Sequence, residues 1–479
     1  MPLILPGNVG SATAATGFNV ANSCMFGNPE DGASATDYLT ITPGSASNRR
    51  TFTISYWVKR GTLNPANTFQ QVIGQQASNY FRVGFGSNEQ GNIFRMYGRG
   101  NFEFRTKMFA RDVAAWYHVC LAIDTTQGTA ANRAKLYING VQQTEFYTEN
   151  YPDQNTELDY NLASAHVIGR SGTSGNDAFN GYLAEFVSID GSALGPTSFG
   201  EFDSSSGIWK PKKVSGLTFG TNGFYLDFAD SGDLGDDESG NGNDFTETGI
   251  DASNQATDTC TNNFAVLNGN ANRDDAKAII LTQGNLLQVC PASADWTSLT
   301  STIGVNKGKW WVEYKYITLG GSALTGIINE TALHRGTSAD GYGIHTAPGF
   351  TNQYHGLGYQ NAAYLYVGSG ASPFRSSYGA SYAAGDFINT ALNLDDGEVT
   401  FYKNGSTQGT TSFTVGTEFW FFAGGPATEN DSVGVNFGGC PPYSISSGNT
   451  DENGRGNFEH APPSGFLALC TKNLATNGG

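Results

Sequence analysis

The richest run of chemistry-bearing side chains is Asp230-Ser231-Gly232-Asp233-Leu234-Gly235-Asp236-Asp237-Glu238-Ser239-Gly240-Asn241-Gly242-Asn243-Asp244. Calcium takes six to eight hard oxygens, and a glycine-rich backbone can wrap carboxylates around it. Asp230, Asp233, Asp236, Asp237 and Asp244 are therefore candidate metal ligands. No motif requires a cofactor, and calcium is the one this stretch would take. The spacing is not that of an EF-hand loop, which needs a bidentate Glu at its twelfth position. A solvated, turn-rich linker has the same composition. Asn176, Asp177 and Asn180 form a smaller candidate set, of residue types that also build ordinary turns.

A different chemistry is offered by Tyr354, His355, Tyr359, Tyr364 and Tyr366, which crowd a Gly/Asn/Gln/Ser segment. Rings beside amides suit stacking on a sugar with hydrogen bonds to its hydroxyls. Packing between strands competes with that reading.

Catalytic patterns are missing. Retaining glycan hydrolysis uses a pair of carboxylates, here sought on one strand face two or four residues apart, yet Glu185 and Glu313 each stand alone in their strands. Asp395, Asp396 and Glu398 lie in and beside a turn. There is no Gly-x-Ser-x-Gly elbow, Walker loop or His-Glu-x-x-His. The six histidines are scattered, and His118 and His166 read as strand residues. The six cysteines show no metal or redox spacing. Cys120 reads as a small buried hydrophobe. Cys440 and Cys470 flank a loop-rich tail that a bridge would close, although reduced thiols fit the compartment better.

The elements that must position these groups are strands. Val119, Leu121 and Ile123 alternate with other residues, as do Leu136 and Ile138, the period of half-buried strands. Asn139-Gly140 follows, and both residues tolerate the positive φ of a type I′ hairpin. The device recurs in the second half, where Val399 to Lys403 runs into Asn404-Gly405. Phe52, Ile54, Tyr56 and Val58 share one strand face. Trp310, Val312, Tyr314 and Tyr316 share another, with Trp311, Glu313 and Lys315 opposite.

Composition agrees. Glycine numbers 63 of 479 residues, aromatics reach 13%, and no long amphipathic helical period appears. This is an all-β composition rich in turns. A net charge of −17 would repel a phosphate backbone, so nucleic acid is not an expected partner. No run approaches the roughly 18–20 apolar residues of a membrane span. The first residues lack the basic and apolar regions of a secretory leader.

Residues 36–205 resemble the laminin-G-like, concanavalin A-like domains. The resemblance is carried by Phe52-Thr53-Ile54-Ser55-Tyr56-Trp57-Val58, Trp116-Tyr117-His118-Val119, Leu136-Tyr137-Ile138-Asn139-Gly140 and Phe179-Asn180-Gly181-Tyr182-Leu183-Ala184-Glu185-Phe186. It implies a jelly-roll of two stacked antiparallel sheets that binds carbohydrate or protein, with calcium common at one rim. Roughly 270–440 resembles the SPRY family, through Gly308-Lys309-Trp310-Trp311-Val312-Glu313, Gly341-Tyr342-Gly343-Ile344, Val399 to Gly405 and Val435-Asn436-Phe437-Gly438. That implies a second sandwich with partner-binding rim loops.

The expected organisation is two antiparallel jelly-roll β-sandwich domains joined by an Asp/Gly-rich connector. An N-terminal arm covers 1–35, the laminin-G-like sandwich 36–205, the acidic connector 206–261, the SPRY-like sandwich 262–442 and a docking tail 443–479. The combination resembles structural or fibre proteins of bacteriophages. It implies a non-enzymatic virion protein that binds host surface glycan or receptor, assembled in the host cytoplasm without a leader. Other virion subunits would be partners, in a homo-oligomer whose trimeric state is inferred from fibre analogy. The alternatives are a structural cement protein touching only virion subunits, and a polysaccharide-cleaving enzyme, against which the missing carboxylate pair counts.

Overall fold

The computed structural model describes residues 17–28, 36–63, 69–75, 81–86, 92–171, 177–269, 279–290, 299–333, 356–368 and 374–478. These fall into two compact units, one within Ala15–Thr261 with Thr282–Gly284, the other within Asn262–Leu281 and Asn285–Gly479. Both are built of sheets, as the alternating sequence requires.

In the first unit one sheet runs, in spatial order, Val141–Gln142, Ala134–Ile138, Trp116–Asp124, Thr51–Arg60, Asn180–Asp190, Ser23–Gly27 and Gln255–Ala256. The other runs from Phe146–Asn150 through Glu103–Phe109, Ile93–Gly98, Phe81–Gly86, Phe69–Gln75, His166–Ile168 and Tyr38–Ile41 to Thr246–Thr248. The Phe52, Ile54, Tyr56 and Val58 face meets Phe81, Val83 and Phe85 in the core. Val119, Leu121 and Ile123 join them. The opposite face is also covered. Trp57 packs with Trp209, and Cys120 with Phe199.

That covering overturns the expected connector. Residues 206–261 are part of the first sandwich, not a linker. Phe224–Leu226 pairs with Asn180–Asp190, Thr246–Thr248 with Tyr38–Ile41, and Gln255–Ala256 with Ser23–Gly27. The physical reason is a sparse set of apolar residues hidden among the polar ones. Phe224, Leu226, Phe228, Leu234, Phe245 and Ile250 all enter the main core. Within the segment read as an arm, Ser23–Gly27 lies between two strands and is fully buried.

In the second unit, Lys309–Thr318 pairs antiparallel with Phe387–Asn393 and Ser432–Asn436. A second sheet pairs Ala323–Asn329 with Trp420–Pro426 and Gly356–Gln360. Trp310, Val312, Tyr314 and Tyr316 are buried, and so are Trp311 and Glu313 on the other face. The tail covers that second face. Leu467–Ala468 pairs parallel with Trp310 and Trp311, while Phe458, Ala468 and Cys470 pack on Trp311.

Both hairpins form as the sequence predicts. Asn139 and Gly140 have φ of 48° and 77°, Asn404 and Gly405 of 48° and 76°. None of the six cysteines forms a disulfide among the described residues, and Cys440 and Cys470 are buried. Among the described residues no helix is long and apolar enough to cross a membrane.

Candidate functional site

The Asn180–Asp190 strand crosses the first unit and changes neighbours midway. Along one edge Ser23–Gly27 pairs with Asn180 to Leu183, and Phe224–Leu226 takes over from Phe186 to Ser188. Glu185 falls in the gap. On the other edge the register to Thr51–Arg60 slips between Ala184 and Val187, the mark of a β-bulge. Glu185 carries the bulge at φ 48°, a left-handed conformation that costs a non-glycine residue of order 1–3 kcal/mol.

The bulge turns Glu185 into a cleft of about 320 Å³. Phe18, Asn19, Ala21 and Asn22 wall one side, ahead of the Ser23–Gly27 strand. Lys213, Val214, Phe219, Tyr225, Asp227 and Glu238 complete the lining with Ala229. Glu185 is only 7% exposed. Tyr225 Oη donates to its Oε2 at 2.7 Å, and its Oε1 accepts nothing from a described residue. Burial pushes the Glu185 carboxyl up to about 7. The Asp227 charge adds to that rise and the Tyr225 hydrogen bond opposes it. Burial first, then the Glu185 carboxylate, push the Tyr225 phenol well above its ordinary value. Glu238 is raised chiefly by the Asp227 charge. Phe219 and Tyr225 stack, with centroids 6.5 Å apart and planes 11° apart.

The acidic segment supplies the scaffold of this cleft. Asp237 is buried, and its carboxylate accepts from Tyr225 N, Ser239 N, Ser239 Oγ and Asn243 N at 2.8–2.9 Å. Glu238 N donates to Tyr225 O at 2.8 Å. One loop thus fixes the Tyr225 backbone from both sides and delivers Glu238 to the lining.

In this loop most of the calcium candidates are committed to the chain itself. Asp237 has spent its oxygens on the chain. Asp230 Oδ1 accepts from Gly232 N, Asp233 Oδ1 from Gly235 N, and Asp244 Oδ1 from Asp237 N. These are turn-building bonds. Asp236 is raised by burial and then by the charges of Asp244, Asp233 and Asp230. Among the described residues no three His, Cys, Asp or Glu side chains come together to hold a metal ion. At the rim, Asn176 lies outside the described residues. Asp177 Oδ2 is 2.5 Å from the Arg82 guanidinium, and Asn180 Oδ1 accepts from Gly284 N. Asp177 and Asn180 are thus committed to protein partners.

The aromatic candidates do not form one platform. Tyr354 and His355 lie outside the described residues. Tyr359 is fully buried, with Tyr378, Tyr382 and Phe401 packed around its ring. It pairs with Leu365, so Tyr364 and Tyr366 point to the opposite face of their sheet. Tyr366 packs there with Leu324, Ile328 and Phe421. Tyr364 is half-buried, with the Arg375 guanidinium 4.1 Å from its ring centre. Tyr359 and Tyr366 are core residues.

The sequence alone shows no carboxylate partner for Glu185 at catalytic spacing along its own strand. Asp227 and Glu238 reach it from strands and loops 40 or more positions on, which no local spacing displays. Asp395 and Asp396 are the turn residues they were expected to be. Asp395 accepts from Gly308 N, and Asp396 from Asn393 Nδ2.

Among solved structures, the chain is similar to the SPRY domain of human HERC1. Identity is 11%, with 37% of this chain and 99% of that one covered, at a TM-score of 0.25. It is also similar to the TRIM65 PSpry domain, at 11% identity over 36% of this chain and 89% of that one, with a TM-score of 0.27. Residues 31–196 match the Concanavalin A-like lectin/glucanases superfamily, and the unit that holds the cleft is a concanavalin A-like β-sandwich.

Proposed function

We propose that this chain is a non-enzymatic bacteriophage virion protein, a tail fibre or exterior decoration, that binds a host surface glycan in the Glu185 cleft. The observation that carries the reading is the cleft itself. It sets carboxylates and amides beside the Phe18, Phe219 and Tyr225 rings on a concanavalin A-like sandwich. Polar groups placed beside aromatic faces are what saccharide recognition needs. The virion context is supported by the order of laminin-G-like and SPRY-like sequence features and by the charge-sparse, hairpin-rich chain. Its partners would be other virion subunits and the glycan, in a homo-oligomer.

The test is binding of the purified chain to a panel of bacterial surface glycans and to intact cells, with competition against particles. Glycan binding that competes with particles supports the reading. Binding only to other virion proteins would replace it with the structural cement role.

A second reading, glycan cleavage, is favoured by one observation. Burial pushes the Glu185 carboxyl up to about 7, a value suited to general-acid catalysis, and Asp227 lines the same cleft. Release of reducing sugar from bacterial polysaccharide, lost in Glu185→Gln, would establish it.

A further inference from the structure

We propose that the Glu185 cleft selects a saccharide carrying a free primary ammonium group, a de-N-acetylated amino sugar. This rests on the glycan reading above and names the sugar class.

The cleft lining carries three carboxyl groups, Asp227, Glu238 and Glu185, against one ammonium, Lys213, and Glu185 adds its charge when a cation draws off its proton. Lys213 is exposed and makes no ion pair with a described residue. The carboxylates are close enough to repel one another, since the Asp227 charge acts on both Glu185 and Glu238. A neutral sugar leaves that repulsion in place, and an acidic sugar adds to it. A cation between them relieves it.

Glu185 gives the preference a defined contact. Its side chain is more than nine-tenths buried and lines the cleft. Tyr225 occupies Oε2, while Oε1 accepts from no described residue. A carboxylate oxygen so placed calls for a donor, and an ammonium supplies a charge-assisted bond about twice as strong as a neutral one. The Tyr225 and Phe219 rings offer apolar faces to a pyranose, and Asn19 and Asn22 bring amides to the rim. These last features favour a sugar over a lysine side chain, which needs no amide partners. The volume, about 320 Å³, lies at the small end of ligand pockets and suits a short saccharide.

The experiment is calorimetric titration of the full chain, at moderate salt, with a β-1,4-linked glucosamine trisaccharide and its fully N-acetylated counterpart. The two differ in charge and share one backbone. The amine form is expected to bind about tenfold tighter, equivalent to ~1.4 kcal/mol. The preference should vanish in Glu185→Gln/Asp227→Asn and grow in Lys213→Gln. The Lys213 variant keeps the test open if the double variant fails to fold. Equal or tighter binding of the acetylated form overturns the charge selectivity and leaves the glycan reading standing. A preference that survives the double variant overturns the site. Trilysine binding as well as the amine sugar overturns the saccharide assignment. Binding of neither trisaccharide overturns the inference, and only failure of the whole glycan panel removes the underlying reading as well.

Discussion

Tyr225 Oη donates to Glu185 Oε2 across 2.7 Å, joining two residues that are 40 positions apart in the chain. The bond anchors a buried carboxyl on a bulged strand to the next strand along the same edge. It also divides the two Glu185 oxygens, since Oε2 is committed to Tyr225 while Oε1 accepts from no described residue.

The Glu185 proton links this site to stability. Its carboxyl rises from an ordinary 4.5 to about 7 in the folded chain. Between those values the unfolded chain has released a proton that the folded chain keeps, so stability falls as pH rises through that window. The loss amounts to about 3 kcal/mol, complete slightly above pH 7. Glu185→Gln should abolish it. Melting temperatures of both proteins at pH 5 and pH 8 check this: the wild type should lose more than the variant on going to pH 8.

Tyr225→Phe removes a hydrogen bond that holds the carboxyl down. The Glu185 titration midpoint should then move upward from about 7. Carbon-13 NMR of the side-chain carboxyl reads it directly. A midpoint that stays put or falls would show that Tyr225 does not stabilise the charged form.

Lys59 Nζ and Asp258 Oδ2 lie 2.7 Å apart with both side chains essentially without solvent contact. Burial lowers the Lys59 pKa, and Asp258 acts against that. Trp116 Nε1 donates to Asp258 Oδ1 at 3.1 Å. Asp258→Asn keeps the shape but removes the charge that balances a buried ammonium, at a cost of about 3–5 kcal/mol. Adding Lys59→Met should recover much of the loss. Denaturant midpoints of the two single variants and the double variant measure the coupling.

Glu313 is fully buried in the second unit, and the tail supplies most of its donors. His460 Nδ1, His460 N and Glu459 N each donate at 3.0 Å, with Asn389 Nδ2 at 2.9 Å and Tyr443 Oη at 3.2 Å. Hydrogen bonds to a charged group contribute about 1.5–3 kcal/mol each at most. Glu313→Gln should lower the stability of this unit by about 3 kcal/mol or more and speed proteolysis of the chain beyond Cys440. Cleavage mapped by mass spectrometry, with wild-type rates in the variant, would dissociate the tail from this carboxylate.

The sequence by itself determined the β class, the two Asn-Gly hairpins and the inner faces of the main strands. Those features depend on local rules. Alternation places Phe52, Ile54, Tyr56 and Val58 on one side, and Asn139-Gly140 meets a φ requirement inside two residues. Glycine and aspartate between residues 230 and 244 hid an apolar set that is too widely spaced for any short window. Only packing shows that Leu234, Phe245 and Ile250 complete the first core, and that Asp237 spends its charge on Tyr225 and Asn243. The tyrosines of 359–366 read as one cluster because a sequence lists neighbours without faces. Antiparallel register sends Tyr359 to one side and Tyr366 to the other. The cleft was the least legible feature. Glu185 faces Asp227 and Glu238 because two strands share one edge of a third, and that contact between distant segments is a property of tertiary structure alone.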